Sequence, residues 1–183
     1  MILLTTSRRV TGAIRTLCRD LANSIPSVVR VNRGKMSLSG IGERAIQLEA
    51  DRAIVVDRWR GRPGRITLFK LAQTGLKIVP PIMLIAGFRL RREFKEEIRR
   101  IQSSSITVNP EDSPELKKTA DFLSQFFDLP VVSVDEAARK NKTSMHLSFS
   151  SSEHPQITFV LPRERVEIGP RITLSKLVWE VST

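Results

Sequence analysis

Leu3-Leu4-Thr5-Thr6-Ser7 opens a pattern that the chain repeats from Ile106-Thr107-Val108-Asn109. The first run is followed by a basic turn and the second by an acidic turn. A helix-patterned stretch follows at residues 13–24 in the first case and 115–127 in the second, and strand-like runs then occupy residues 28–31 and 131–134. This repetition fixes the architecture before any single motif is considered.

The correspondence continues more loosely downstream, where residues 65–69 match 156–160 and residues 82–90 match 171–181. Each half therefore predicts a strand, a helix, a strand and then paired strands. A repeat of this length favours two small packed lobes over a solenoid, although chance similarity is the alternative because strand–helix–strand is a common order. We expect an α/β fold of two similar lobes, each a sheet with packed helices. Ser103-Ser104-Ser105 marks the boundary between residues 1–102 and 103–183.

The charge differs sharply between the two predicted lobes. The chain of 183 residues has a net charge of +11, and residues 1–102 hold 21 of its 30 lysines and arginines but only 8 of its 19 acids. The net charge of the first lobe is thus +13, while that of the second lobe, with 9 bases and 11 acids, is −2. A heat-stable surface rich in ion pairs would carry acids beside the bases. The shortage of acids in the first lobe favours a polyanionic partner instead.

The composition excludes several classes of protein. No run approaches the roughly 20 apolar residues that cross a bilayer, and residues 1–4 meet Arg8-Arg9 too early for a secretory signal, so we expect a cytoplasmic protein with no membrane partner. The single cysteine forms no intramolecular disulfide, and Cys18 falls on an apolar helical stripe, which predicts a core residue rather than a nucleophile. His146 and His154 lack further ligands at metal spacing.

No catalytic constellation is present in the sequence. Asp51 and Asp57 bracket one strand but lie about 20 Å apart along it, too far to share a proton or a metal ion. Phosphate-loop and nucleophile-elbow motifs are missing, and the glycines do not form a dinucleotide fingerprint. We predict no catalytic residue, no metal and no cofactor.

Local signals predict three features around the first lobe's sheet. Ser37 is a helix cap for residues 38–48. The apolar run at residues 53–56 predicts a strand covered on both faces. Pro63-Gly64 predicts the turn that joins this strand to the next.

Three basic clusters follow strands of the first lobe and are the predicted binding surface. Loops at strand ends of an α/β sheet converge, and the planar fork of arginine binds phosphate through two hydrogen bonds. Gly34 would let a phosphate approach the backbone, and Trp59 either stacks on an unpaired base or is buried behind its hairpin. The absence of tyrosine disfavours a base-stacking sheet and favours backbone contacts to structured RNA. The clusters contain Ser7, Arg8 and Arg9; Arg33, Gly34 and Lys35; and Arg58, Trp59, Arg60, Arg62 and Arg65.

Three segments resemble the hallmark motifs of the Brix domain family of ribosome-biogenesis proteins. They are residues 4–8 (Leu-Thr-Thr-Ser-Arg), residues 32–35 (Asn-Arg-Gly-Lys) and above all residues 166–174 (Val-Glu-Ile-Gly-Pro-Arg-Ile-Thr-Leu). The resemblance spans essentially the whole chain and is to the compact archaeal members. Ser175-Lys176 departs from it, since a more continuous apolar strand is expected there.

The resemblance implies both a fold and a role. Each half should be similar to the anticodon-binding domain of class IIa aminoacyl-tRNA synthetases. The role would be non-enzymatic, namely binding ribosomal RNA precursor and assisting rRNA processing and subunit assembly, alongside pre-ribosomal or guide-RNP proteins that the C-terminal lobe would recruit. Two rivals remain open: a subunit of an enzyme that acts on RNA, and a tRNA-binding or structural ribosomal protein.

Arg171, in the Gly-Pro-Arg segment, has two possible roles. A tight turn between two strands accounts for Gly169 and Pro170. Arg171 would then pair with an acid or lie at the lobe interface, which is the interpretation we favour, or it would contact RNA.

Overall fold

The computed structural model describes residues 1–59, 62–95, 102–109, 111–140 and 142–180, with the backbone alone at residues 59, 62 and 63. The first half contains β1 (Ile2–Thr6), α1 (Gly12–Ser24), β2 (Val28–Arg30), α2 (Leu38–Gln47), β3 (Arg52–Trp59), β4 (Arg62–Ala72) and β5 (Gly75–Arg89), followed by a short 3₁₀ turn at Arg91–Glu93. The second contains β6 (Ser105–Thr107), α3 (Pro114–Phe127), β7 (Val131–Val132), α4 (Val134–Arg139), β8 (Ser144–Phe149), β9 (Pro155–Leu161), β10 (Val166–Glu167) and β11 (Arg171–Val178).

These strands form one mixed sheet rather than a separate sheet in each lobe. The strand order is β2-β1-β3-β4-β5-β11-β9-β8-β6-β7, with β10 paired to β9 alone. The order in the second half mirrors that in the first, and each half has a parallel trio, β2-β1-β3 and β7-β6-β8. The antiparallel pair β5–β11 joins the halves, so the prediction of two sheets was wrong. The lobe boundary at residue 102 stays a prediction.

The parallel trios decide where the helices lie. Parallel neighbours need a crossover, and right-handed crossovers that step in opposite directions put successive helices on opposite faces of the sheet. In the first half α1 therefore packs on one face with Ile54 and Val56, while α2 packs on the other with Ala53 and Val55. All four of these β3 residues are buried, which confirms a strand covered on both faces. The face that carries α1 continues into the second half, where α3 joins the same core.

Side-chain caps start each described helix. Thr11, Ser37, Ser113 and Ser133 accept a hydrogen bond from the backbone N–H three residues later. The capping prediction for Ser37 is thus confirmed, as are the helices predicted at residues 13–24 and 115–127. The short helix α4 was not predicted. None of the described helices is long and apolar enough to cross a membrane.

Cys18 lies in the core, as its place on the apolar stripe predicted. Its side chain is fully buried within the α1 stripe. Burial raises the pKa of the thiol to about 12, although Arg30 partly opposes the shift. A neutral buried thiol of this kind is inert as a nucleophile.

Pro63-Gly64 does not form the turn that was predicted there. Both residues lie inside β4, where Gly64 pairs with Ile85 of β5. Gly64 has φ +140°, and a Cβ on it would lie 2.6 Å from the carbonyl oxygen of Asp57. Glycine is required here because β3 and β4 approach closely where their register shifts, not because the chain reverses.

Arg52 ties β3 of the first half to the end of α3 in the second. Its side chain is only 11% exposed. It donates hydrogen bonds to the carbonyl oxygen of Phe126 at 2.6 Å and to the carboxylate of Asp128 at 2.6 Å, and it also contacts Asp51. The hydrogen bond from Arg52 lowers the pKa of Asp128 below its ordinary value.

Replacing Arg52 with methionine should lower the free energy of unfolding by about 2 kcal/mol, because methionine keeps the bulk but leaves the last carbonyls of α3 without this donor. Urea unfolding would measure the loss. Arg44→Met is the matched control, since Arg44 is exposed and, among the described residues, its side chain bonds Gln47 of the same helix and nothing in the other half. It should cost less than about 0.5 kcal/mol. Equal losses in the two variants would refute the inter-half role of Arg52.

Candidate nucleic-acid interface

The three predicted basic clusters leave one end of three neighbouring strands. β1 lies between β2 and β3 and is parallel to both, so the loops after all three strands leave the same end of the sheet. The N–H of Ser7 donates to the carbonyl of Val56 at 2.9 Å, which places Ser7 beside Asp57 at the end of β3. Adjacent strands are about 4.8 Å apart, so the first residues of these loops lie close together.

Arg8 and Arg33 meet at a single backbone carbonyl. Arg33 Nε donates to the oxygen of Met36 at 2.7 Å, and Arg8 Nε reaches the same oxygen at 3.4 Å. Arg8 also donates through Nη2 to the carbonyl of Lys35 at 3.1 Å. Burial, and then the nearby charge of Arg8, lower the pKa of Arg33. The two cations are held close together by carbonyls, with no carboxylate between them.

Gly34 and Lys35 form the exposed tip of this loop. Gly34 has φ +51°, and nothing lies within 4 Å of the position that a Cβ would take. Lys35 is exposed beside it. The backbone at the tip is therefore open to an approaching anion, as the sequence suggested.

Arg65 of the third cluster pairs with a carboxylate, that of Asp57. Arg65 donates to Asp57 through Nη2 at 2.6 Å and through Nε at 3.1 Å, and it is only partly exposed. Burial raises the pKa of Asp57, although Arg65 opposes the shift. Arg58, one residue further along β3, is exposed. Arg65 is thus engaged within the protein, while Arg58 faces solvent.

Part of the predicted site lies outside the described residues. Arg60 is in that group, and so are the side chains of Trp59 and Arg62. The question whether Trp59 stacks or is buried stays open. We define the basic loop surface by the described residues Ser7, Arg8, Arg9, Arg33, Gly34, Lys35 and Arg58.

The basic loop surface has little acid to neutralise it. Across the ranges that the structure describes, none of its five cationic side chains forms an ion pair with a carboxylate. Arg8, Arg9, Lys35 and Arg58 are exposed, and Arg33 is half-buried. Close, unpaired guanidinium groups around an open backbone can bind phosphate oxygens through forked hydrogen bonds. Within the same ranges no three His, Cys, Asp or Glu side chains cluster to hold a metal ion.

Arg171 is paired within the fold, as the structural interpretation predicted. Its Nε and Nη2 donate to the two carboxylate oxygens of Glu167, which also accepts a hydrogen bond from Thr158. The hydrogen bond with Glu167 raises the pKa of Arg171. Burial alone would raise the pKa of Glu167, but the bonds from Arg171 and Thr158 hold it below its ordinary value. In the backbone register of β11 and β5, Arg171 lies opposite Arg89.

Sequence reasoning missed the aromatic partner of this motif. Phe94 lies with its ring centroid 4.6 Å from the guanidinium of Arg89 and 5.7 Å from that of Arg171. Gly169 sits against the same ring, where a Cβ would come within 2.4 Å of two ring carbons. No local signal links Phe94 to residues 169–171, because only the β5–β11 pairing brings them together.

The departure at Ser175-Lys176 has a structural reason. The pairing of β11 with β5 shifts between Leu174 and Lys176, so Ser175 is an extra residue in the strand. Its hydroxyl donates to the carbonyl of Leu84 at 3.3 Å. A polar residue therefore fits this bulge.

Comparison with known proteins gives a consistent set of archaeal relatives, although no family model matches the chain. Probable Brix domain-containing ribosomal biogenesis proteins are 32% identical over 111 residues in Aeropyrum pernix, 27% over 140 in Pyrobaculum aerophilum and 24% over 178 in Methanopyrus kandleri. These alignments cover 60%, 75% and 92% of this chain, and 62%, 74% and 90% of the relatives. The Aeropyrum match, and one in Sulfurisphaera tokodaii covering 53% of that protein, span less than two thirds of those relatives.

Solved structures share the fold over nearly the full chain. A probable ribosomal biogenesis protein from Aeropyrum pernix K1 superposes with a TM-score of 0.74 at 26% identity, covering 97% of this chain and 98% of that one. Mil, an archaeal Imp4-like protein, superposes with a TM-score of 0.66 at 19% identity, covering 97% and 99%. By sequence and by fold, the chain is thus a relative of the archaeal Brix domain-containing ribosomal biogenesis proteins.

Proposed function

We propose that this protein binds ribosomal RNA precursor through the basic loop surface and assists rRNA processing and subunit assembly without catalysing a reaction. One observation carries the proposal: cationic residues from the loops after β2, β1 and β3 leave the same end of the sheet, and within the described part of the chain they lack carboxylate partners. The printed names of the relatives, as ribosomal biogenesis proteins, supply the cellular process.

The chemistry of the surface favours RNA backbone over bases. Its described side chains are guanidinium and ammonium groups with one hydroxyl and one open glycine, and these bind phosphate rather than read sequence. Structured RNA is recognised largely through shape and backbone contacts. Folded precursor RNA is therefore the proposed partner. The proposed compartment is the cytoplasm.

The mirrored strand order supports an origin by duplication. We infer that each half derives from a unit similar to the anticodon-binding domain of class IIa aminoacyl-tRNA synthetases. In this view the first half kept an RNA-binding surface and the second lost its net positive charge. The β5–β11 pair then merged the two sheets.

Affinity for a structured fragment of precursor rRNA, measured against salt, tests the proposal. Three to five phosphate contacts predict that log K falls with log salt with a slope of about −2 to −4.5. A flat response would contradict binding through the basic loop surface. Incubation of the same RNA with the protein and divalent metal should leave it uncleaved, and cleavage would favour the rival assignment as an RNA-acting enzyme.

A further inference from the structure

The internal repeat allows the second helix of each half to be compared, and the two differ in whether the following strands pack against the helix. In the first half, the β4–β5 hairpin covers α2. Leu76 packs against the cluster around Ile41, and a Cβ on Gly42 would lie 3.7 Å from Leu76 Cγ. Leu76 therefore covers α2 at Gly42, and no open surface is left at this position.

Helix α4 is the counterpart of α2 in the second half. Both begin after a capping serine, Ser37 in α2 and Ser133 in α4. The fourth residue after each cap, Ile41 or Ala137, is fully buried. The fifth is Gly42 in α2 and Ala138 in α4, so Ala138 occupies the position that Leu76 covers in the first half.

Ala138 lines an open groove instead of a packed contact. The groove has a volume of about 850 Å³ and lies between α4 and the loop that follows β9. That loop, which contains Pro162, Arg163 and Arg165, corresponds to the β4–β5 hairpin of the first half. Val134, Ala138 and Pro162 give the groove an apolar part.

Three arginines flank this apolar part. Arg139, Arg163 and Arg165 line the groove and are exposed. In the described residues, the side chains of Arg163 and Arg165 form no hydrogen bond or ion pair, and Arg139 bonds only the carbonyl of Asp135 at 3.3 Å. Asp135 is the one carboxylate among the described lining residues. A positive groove is thus present in the half whose net charge is −2.

We propose that this groove docks an acidic segment of a partner protein, with one large apolar side chain of the segment resting on Ala138. Arginine forks bind carboxylates bidentately, which suits aspartate and glutamate on either side of that apolar residue. RNA fits less well, because its backbone has no group to fill the apolar part formed by Val134, Ala138 and Pro162, whereas a peptide can place an apolar side chain there. The proposal is independent of RNA binding by the first half.

Selection from a displayed library of random short peptides tests the groove. The full chain is the bait, and the Arg163→Glu/Arg165→Glu variant is used for counter-selection. Both arginines are exposed, so the variant should fold normally, and its thermal unfolding checks this. We expect selected peptides to combine acids with a leucine, isoleucine or phenylalanine, and to bind the variant roughly tenfold or more weakly than the wild type. Ala138→Glu should weaken them similarly.

Arg8→Glu/Arg58→Glu is the matched control, because it removes the same charge from the basic loop surface and should leave peptide binding unchanged. The proposal is overturned if no peptide is enriched, or if enriched peptides bind Arg163→Glu/Arg165→Glu as well as wild type. Loss of affinity for structured RNA in that variant would assign the groove to RNA instead. Dimerisation of the wild type that Ala138→Glu abolishes would assign it to a second copy of the chain.

Discussion

Arg8→Glu/Arg58→Glu should weaken binding of structured rRNA fragments by roughly 100-fold or more at physiological salt. Each substitution removes a phosphate contact and adds a repelling carboxylate, and each factor of ten corresponds to about 1.4 kcal/mol. Both side chains are exposed, so thermal stability should stay within about 0.5 kcal/mol of wild type. The salt dependence should flatten in parallel, because fewer counterions are released.

Lys70→Glu/Lys77→Glu is the matched control. These lysines are exposed and pair across β4 and β5. Lys70 also pairs with Arg52 at the start of β3, so the pair lies at the opposite end of the sheet from the basic loop surface. The control carries the same change in net charge, so any loss of RNA affinity that it shows measures only the effect of the protein's long-range electrostatic field. It should bind RNA within a few-fold of wild type. If the two double variants lose affinity equally, RNA is attracted by net charge and not by this surface.

Gly169→Ala should lower the free energy of unfolding by about 3 kcal/mol. The residue has φ +63°, which costs an alanine about 1 kcal/mol, and overpacking against a ring adds about 1–3 kcal/mol. The new Cβ would meet two carbons of Phe94 at 2.4 Å. Urea unfolding would measure the change.

Gly75→Ala separates the two contributions. Gly75 has φ +105° but nothing within 4 Å of its Cβ position, so this variant reports backbone strain without the clash. It should lose less stability than Gly169→Ala. Adding Phe94→Ala to Gly169→Ala should recover part of the loss relative to the sum of the single changes. Strict additivity would show that Phe94 does not constrain Gly169.

The sequence predicted the features that depend on local pattern. The apolar run at residues 53–56 predicted a buried strand, the stripe around Cys18 predicted α1, and Ser37 marked the start of α2. The repeat predicted which strands correspond, and the structure places corresponding strands in mirrored order within the sheet. The parallel order of β2, β1 and β3 likewise explains why the loops that hold Arg8, Arg33 and Arg58 leave the same end of the sheet.

Features that depend on pairing between residues far apart in the sequence were either not predicted or predicted wrongly. The union of the halves needs β5 to pair with β11, and no local signal in either strand specifies that partner. Helix α4 has only six residues, too few for a periodic pattern, although Ser133 followed by Glu136 is a capping signal. The Asp57–Arg65 pair becomes visible only when the register of β3 and β4 is known.

Ultraviolet crosslinking in the native cells, with mass spectrometry of the attached peptides and sequencing of the attached RNA, tests the central claim most directly. The account predicts peptides from the loops around Arg8, Arg33 and Arg58, joined to segments of ribosomal RNA precursor. Crosslinks confined to the second half of the chain, or to RNAs other than ribosomal precursors, would contradict it.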